Sequence, residues 1–243
     1  MNSATPIKAM ILAAGRGNRL RPITDTLPKP LVPLCGKPLI EYHIEKLARS
    51  GVEEIIINHA WLGEQIEQTL GDGSRWGVKI LYSAEPEGGL ETAGGIINAL
   101  PLLGENPFVL INGDVYCDFD FSDLIAKAQT LAVKEQGQNT DLQLGHLYLV
   151  PSPEHNAKGD FGLPEGRAQG PVSEQGDYTF SGLSVLHPQL FADMPVSFIA
   201  LAPILRQAMQ QQSLTASLQT GLWSDIGTLE RLQATEALLC PNR

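Results

Sequence analysis

Four short apolar runs fix the fold class of this chain. They cover residues 7–14 (IKAMILAA), 53–59 (EEIIINH), 78–83 (VKILYS) and 107–111 (PFVLI). Each is long enough for a buried strand, too short for a helix, and rich in Ile, Val or Leu. Between them, residues 38–50 carry helical spacing (Leu39, Tyr42, Ile44, Leu47) and stop before Gly51, and 61–70 and 92–103 also read as helices. Strands that alternate with helices pair in parallel and cover both faces of the sheet with their crossovers. The expectation is an α/β, Rossmann-like fold: a mostly parallel twisted sheet with helices on both faces. The pattern loosens after about residue 135. A polar loop (138–140) leads to a strand (141–150), a Pro/Gly-rich stretch (151–176), a second strand (178–187), a helix (198–211), a weak alternation (214–220) and a short run (223–226) before a last helix (229–239). We read residues 1–243 as one domain whose halves, 1–135 and 136–243, share the sheet.

The 17 basic and 27 acidic residues give a formal charge of −10, which argues against nucleic acid or an anionic membrane as partner. A small anion needs only a local cationic pocket, and the chain has one candidate. Between Gly15 and Lys37 stand Arg16, Arg19, Arg21, Lys29 and Lys37 against a single acid, Asp25. Three cysteines without C-x-x-C spacing and five scattered histidines argue against a disulfide framework or a zinc site, and no apolar run approaches a membrane span. A cytoplasmic protein, a monomer on balance, is expected.

The first strand runs into Ala14-Gly15-Arg16-Gly17-Asn18-Arg19. Glycines at the end of a parallel strand let main-chain N–H groups approach a phosphate, because no Cβ intervenes. Leu20 stands where a dinucleotide fingerprint needs a third glycine, and a Walker loop is absent. Arg16 and Arg19 suit a triphosphate, since a guanidinium can fork onto two phosphate oxygens. Farther on, Lys29 is locked between Pro28 and Pro30, which presents its ammonium in a fixed direction.

The whole string L-A-A-G-x-G-x-R-L-x-P-x-T-x-x-x-P-K-P-L, residues 12–31, resembles the signature of the sugar-1-phosphate nucleotidylyltransferases. The resemblance extends over essentially the whole chain. It implies that Ala14, Gly15, Arg16, Gly17, Asn18, Arg19 and Lys29 wrap a nucleoside triphosphate, with Arg19, Lys29 and Asp114 carrying the catalytic work. Asp114 follows a strand in Ile111-Asn112-Gly113-Asp114, at the crevice where open α/β sheets bind ligands. With Asp225 of Trp223-Ser224-Asp225-Ile226-Gly227-Thr228 it is implied to hold Mg²⁺. Glu85, Thr92 and Gly94 in residues 85–95 (EPEGGLETAGG), together with Asn112, are implied to read the nucleotide, with the N-terminus of the following helix adding positive potential. For the sugar, the resemblance offers Gly145, Asp160, Gly162, Glu174, Ser181 and Gly182. Many members have a lysine after the glutamate, where this chain has Gln175.

Residues 38–43 (PLIEYH), 57–63 (INHAWLG), 71–75 (GDGSR), 180–188 (FSGLSVLHP) and 201–208 (LAPILRQA) are similar to short bacterial members that act in peptidoglycan recycling. That subgroup's substrates, UTP and N-acetylmuramate 1-phosphate, are the implied partners, with Lys158 and Arg167 as candidates for the lactyl carboxylate. A mannose- or glucose-1-phosphate enzyme using another nucleotide is the nearest alternative. A non-catalytic sugar-nucleotide-binding regulatory subunit is the other, although Lys29, Asp114 and Asp225 are all present.

Overall fold

The first apolar run forms β1 (Ala9–Leu12), an interior strand of a sheet that collects strands from both halves of the chain. In a computed structural model, which describes residues 6–135, 143–164 and 169–241, the elements follow in this order. A short hairpin, β2 (Pro33–Leu34) and β3 (Lys37–Pro38), precedes α1 (Leu39–Arg49) and β4 (Glu54–His59). Then come α2 (Gly63–Leu70), β5 (Lys79–Ala84), α3 (Glu91–Leu103), β6 (Phe108–Asn112), β7 (Val115–Cys117) and α4 (Ser122–Glu135). The second half supplies β8 (Gly145–Pro151), β9 (Phe161–Gly162), β10 (Gln169–Pro171), β11 (Ser173–Leu186), α5 (Leu201–Gln210), β12 (Leu214–Leu218), β13 (Trp223–Asp225) and α6 (Leu229–Leu239).

The nine-stranded sheet has the order β10-β12-β8-β11-β6-β1-β4-β5, with β9 on β11. Its first half is parallel throughout: β1 pairs β4 and β6, and β4 pairs β5. The 14-residue β11 then runs antiparallel to both β6 and β8 and welds the second half on. The sheet is therefore mixed, parallel where the nucleotide motif lies and antiparallel at the weld. α4 lies in a stretch to which the sequence reading assigned no element.

Alternation along the strands sends side chains to two cores. Ala9, Ile11, Ile55, Ile57 and Ile111 join α1, α2 and α4 on one face. Met10, Ile56, Phe108 and Leu110 join α3 and α5 on the other. A third, smaller cluster (Val32, Leu34, Leu39, Ile226, Leu232) ties the β2–β3 hairpin to α6. There the expectation for cysteine fails, because Cys35 and Cys240 form a disulfide across 205 residues of sequence. Spacing arguments see only nearby cysteines, whereas tertiary packing brings this turn to the end of α6, where the Cys35 amide also donates to Glu236 Oε1 at 2.9 Å. Cys117 is free and buried, and burial pushes its thiol up to about 11.

Candidate active site

The carboxyl ends of β1, β4, β5 and β6 open onto a cavity of about 1020 Å³. The chain leaves β1 through a loop whose glycines have distinct roles. A Cβ on Gly15 would meet nothing within 4 Å, so the space above it is open to a ligand. Gly17 has φ +71°, and a Cβ there would stand 3.0 Å from both Lys29 Cβ and Thr24 Cγ2. Glycine thus lets the turn lie directly on the lysine stem. Ala14, Gly15, Arg16, Gly17, Asn18, Arg19, Lys29, Glu85, Thr92, Asn112 and Asp114, all read from sequence, line this one cavity.

Charge in the loop is unevenly satisfied. Arg21 pairs with Asp25 at 2.9 Å, Lys37 with Glu45 at 2.7 Å and Lys29 with Asp114 at 2.6 Å. Arg16 and Arg19 have no carboxylate partner among the described residues, and both face the cavity. Lys29 is 8% exposed, in a short turn of 3₁₀ helix that the flanking prolines hold. Its ammonium is directed at Asp114.

A hydrogen-bonded brace behind the loop went unread in the sequence. The Ala13 amide donates to Asn58 Oδ1 at 2.8 Å, Asn58 Nδ2 donates to Glu85 Oε1 at 2.6 Å, and the Leu90 amide donates to Glu85 Oε2 at 2.8 Å. Glu85 therefore joins the end of β1 to residues 85–90. A Cβ on Gly95 would come within 2.4 Å of Glu85 Oε1, so that glycine makes room for the brace.

Gly94 requires a correction. It does not line the cavity; it is buried under the Ser197 carbonyl, where a Cβ would lie 2.0 Å from the oxygen. The amides of Ala93 and Gly94 both donate to the Ile199 carbonyl, at 2.9 and 3.1 Å. The N-terminus of α3 is thus capped by a loop of the second half, and these two amides are not free to take a phosphate. The same loop carries Phe198, 70% exposed, to the rim of the cavity.

A second cavity of about 290 Å³ adjoins the first. Asn112 and Asp114 line both, and Val115, His155, Asn156, Thr179, Phe180, Gly182, Trp223 and Asp225 complete the smaller one. Gly182 has φ +82°, and a Cβ would stand 2.9 Å from Asn112 Cβ. It sits where the register of β11 shifts between Phe180 and Ser184. The irregularity gives Asn112 its room.

The other sugar-side residues do not line this cavity. Gly145 is buried at the start of β8, where a Cβ would meet Leu214 and Leu186. Gly162 is buried in β9 against Gly176. Glu174 is exposed and accepts from Gln210 at 2.9 Å. Asp160 and Ser181 act at one remove. Asp160 accepts from the Phe180 amide at 2.9 Å and from Asn156 Nδ2 at 3.1 Å, and the Ser181 carbonyl accepts from Trp223 Nε1 at 2.8 Å. Each orders residues that face the cavity. Glycine and aspartate in loops look alike in sequence whether they touch a ligand or shape a turn. Lys158 is exposed and off the cavity, and Arg167 lies outside the described residues.

Asp225 pairs with Val115 at the end of the β7–β13 ladder, and beside it the Ile226 amide donates to the Asp114 carbonyl at 2.7 Å, so the two aspartates lie close together. Arg231 Nη1 donates to Asp225 Oδ2 and, at 2.9 Å, to His155 Nε2. With Nε2 accepting, the imidazole is the Nδ1–H tautomer and presents a lone pair 3.2 Å from Asp225 Oδ1. That carboxylate oxygen is buried and accepts no hydrogen bond. A buried anionic oxygen facing a second acceptor is a place for a cation. The two carboxylates are hard oxygen donors of the kind Mg²⁺ takes. No cluster of three or more metal-ligating side chains occurs among the described residues, so phosphates and water would fill the remaining positions.

Comparison with known proteins shows the family and the fold. The family described as Nucleotidyl transferase matches residues 8–140. An N-acetylmuramate alpha-1-phosphate uridylyltransferase from Neisseria meningitidis serogroup B is 50% identical over 234 residues, 96% of this chain and 98% of that protein. A mannose-1-phosphate guanyltransferase beta-B of Xenopus laevis is 31% identical over 91% of this chain, which spans 61% of that longer protein. Among solved structures, a UDP-glucose pyrophosphorylase complexed with UDP-glucose superposes with TM-score 0.75 at 20% identity, covering 98% of this chain and all of the other. A Bacillus anthracis protein assigned as a glucose-1-phosphate thymidylyltransferase gives 0.81 at 21% identity, covering 96% and 94%. At these identities the two structures establish the fold alone.

Proposed function

The chain belongs to the nucleotidyl transferase family, and from that premise we propose that it transfers UMP from UTP to N-acetylmuramate α-1-phosphate. The products are UDP-N-acetylmuramate and pyrophosphate. One observation carries the reading: the Lys29–Asp114 pair, 2.6 Å apart, stands where the two cavities meet. A transfer between two phosphates needs its charge compensation at that junction. The half-identical relative, aligned along nearly its full length, supports the choice of sugar and base.

The reaction needs little covalent chemistry from the protein. A sugar-phosphate oxygen, already anionic, attacks the α-phosphorus of UTP in line, the bond to the bridging oxygen breaks, and pyrophosphate leaves with that electron pair. Arg16, Arg19 and the loop amides bind the triphosphate in the larger cavity, and the Asn58–Glu85 brace holds the end of β1 against residues 85–90. Lys29 compensates charge at the α-phosphate as it becomes five-coordinate. Asn156, Thr179 and the Phe180 main chain, ordered by Asp160, orient the sugar in the smaller cavity. Mg²⁺, held by Asp114 and Asp225, would supply further neutralisation of phosphate oxygens. We place the protein in the cytoplasm, acting as a monomer. No helix among the described residues is long and apolar enough to cross a membrane.

The test is a matrix of UTP, GTP, CTP and dTTP against the 1-phosphates of N-acetylmuramate, N-acetylglucosamine, glucose and mannose, read by pyrophosphate release. The reading requires the highest kcat/KM for UTP with the muramate. Preference for GTP with mannose 1-phosphate would overturn it, and triphosphate binding without release would indicate a regulatory protein.

A further inference from the structure

Arg16 has no carboxylate partner among the described residues, yet its position is fixed. Its guanidinium carbon lies 3.6 Å from the centroid of the Trp61 ring, stacked on the indole face. Trp61 comes from the turn between β4 and α2 and is itself held. Its indole N–H donates to the Thr24 carbonyl at 3.0 Å, and Gln65 Nε2, one turn on, donates to the Thr26 carbonyl at 3.2 Å. Thr24 closes the circuit, for its hydroxyl donates to the Gly17 carbonyl at 2.8 Å. One aromatic plate therefore grips the cation of the phosphate loop by its face and the glycine turn, through Thr24, by its edge. Trp61, Arg16 and Gly17 all line the larger cavity.

We propose that Trp61 is a positioning residue that holds Arg16 and the 15–19 turn in the arrangement that receives the triphosphate; the proposal rests on the nucleotide reading of that cavity. A guanidinium stacked on an aromatic face keeps its N–H edges free for oxygen acceptors. An arginine released from the plate has several rotatable bonds to order on binding, and that ordering subtracts from affinity. Trp61 works through Arg16, so its loss weakens triphosphate binding and leaves the transfer step itself nearly intact.

The experiment compares wild type, Trp61→Ala, Trp61→Phe, Arg16→Ala and the Trp61→Ala/Arg16→Ala double variant. It reads kcat and KM for UTP, and the dissociation constant of inorganic tripolyphosphate by calorimetry. Trp61→Ala should raise both the KM for UTP and the tripolyphosphate constant by about 5- to 20-fold, the range of a partly desolvated cation–π contact, with kcat changed less than about 2-fold. Trp61→Phe, which retains a ring face, should recover most of that loss. The double variant should be little worse than Arg16→Ala alone, because coupled residues are not additive. Full additivity, or an unchanged tripolyphosphate constant in Trp61→Ala, would overturn the proposal. If Trp61→Ala fails to fold, Trp61→Phe and Arg16→Ala carry the comparison, and a Trp61→Phe protein that folds but binds tripolyphosphate no better than Arg16→Ala would equally overturn it. The tripolyphosphate measurement does not depend on which base or sugar is used, so a wrong substrate assignment leaves it readable.

Discussion

The two halves of the cavity system are built differently. On the nucleotide side, six consecutive residues, Ala14 to Arg19, and one lysine a few turns on meet around a single opening. On the sugar side, His155, Asn156, Thr179, Phe180, Trp223 and Asp225 come from three separate stretches, brought together by the irregular β11 and the β7–β13 ladder. A phosphate is the same in every nucleotide, and a loop at the end of a parallel strand binds it with main-chain groups, so the solution is local and compact. A sugar is recognised by hydroxyls at particular places, which calls for side chains gathered from distant parts of the chain.

If that contrast is right, a change at the junction injures both halves and a change on either side injures one. The largest effect belongs to Lys29→Ala. It should lower kcat/KM by about 10²–10³-fold, the cost of removing one charge-stabilising donor, whichever substrate is varied. Steady-state kinetics with each substrate saturating in turn checks this, and a loss confined to the KM of one substrate would separate the lysine from the junction.

Gly94→Ala tests the corrected role of α3. The added methyl would meet the Ser197 carbonyl, so it should cost about 1–3 kcal/mol of stability as overpacking does. Thermal unfolding should show a lower midpoint, and any effect on the KM for UTP should follow from the displaced 193–199 loop. A stable Gly94→Ala with weakened UTP binding would return this glycine to the nucleotide.

On the sugar side, Asn156→Ala should raise the KM for the sugar phosphate by about 10-fold, the worth of one or two hydrogen bonds, and leave that for UTP unchanged. Glu174→Gln should change neither, since its carboxylate faces Gln210 and solvent. The reverse pattern would restore the glutamate to the site.

A further effect is common to both halves. Burial lowers His43, under the nucleotide side, to about 4, and His146, in β8, to about 3. Both are neutral in the native state where the unfolded chain would already be protonated. Below about pH 6.5 the unfolded state therefore binds more protons and stability falls as pH falls, down to the folded values. Denaturant midpoints between pH 7 and 5 should decline, and an increase would contradict the burial of these rings.

This contrast also explains what the sequence disclosed. Gly15, Gly17, Arg19 and Lys29 were legible because a contiguous loop keeps its spacing in sequence. So were Asp114 and Asp225, each marked by a short motif at a strand end. Asn58, Trp61 and Arg231 were not, since each meets a partner 30 or more residues away, Ala13, Thr24 and His155 respectively. Gly145, Gly162 and Glu174 were misread for the converse reason, as loop chemistry alone does not say which turn faces a ligand. α4 and the Cys35–Cys240 link were missed because both depend on tertiary neighbours rather than on local pattern.

The central claim is that the junction residues carry transfer while the loop carries nucleotide binding. Measuring UTP affinity and magnesium-dependent pyrophosphate release side by side in Asp114→Asn tests it most directly. The account predicts release reduced by at least about 10²-fold with the UTP dissociation constant, measured without magnesium, within about threefold of wild type. Near-normal release from a folded Asp114→Asn protein would contradict it.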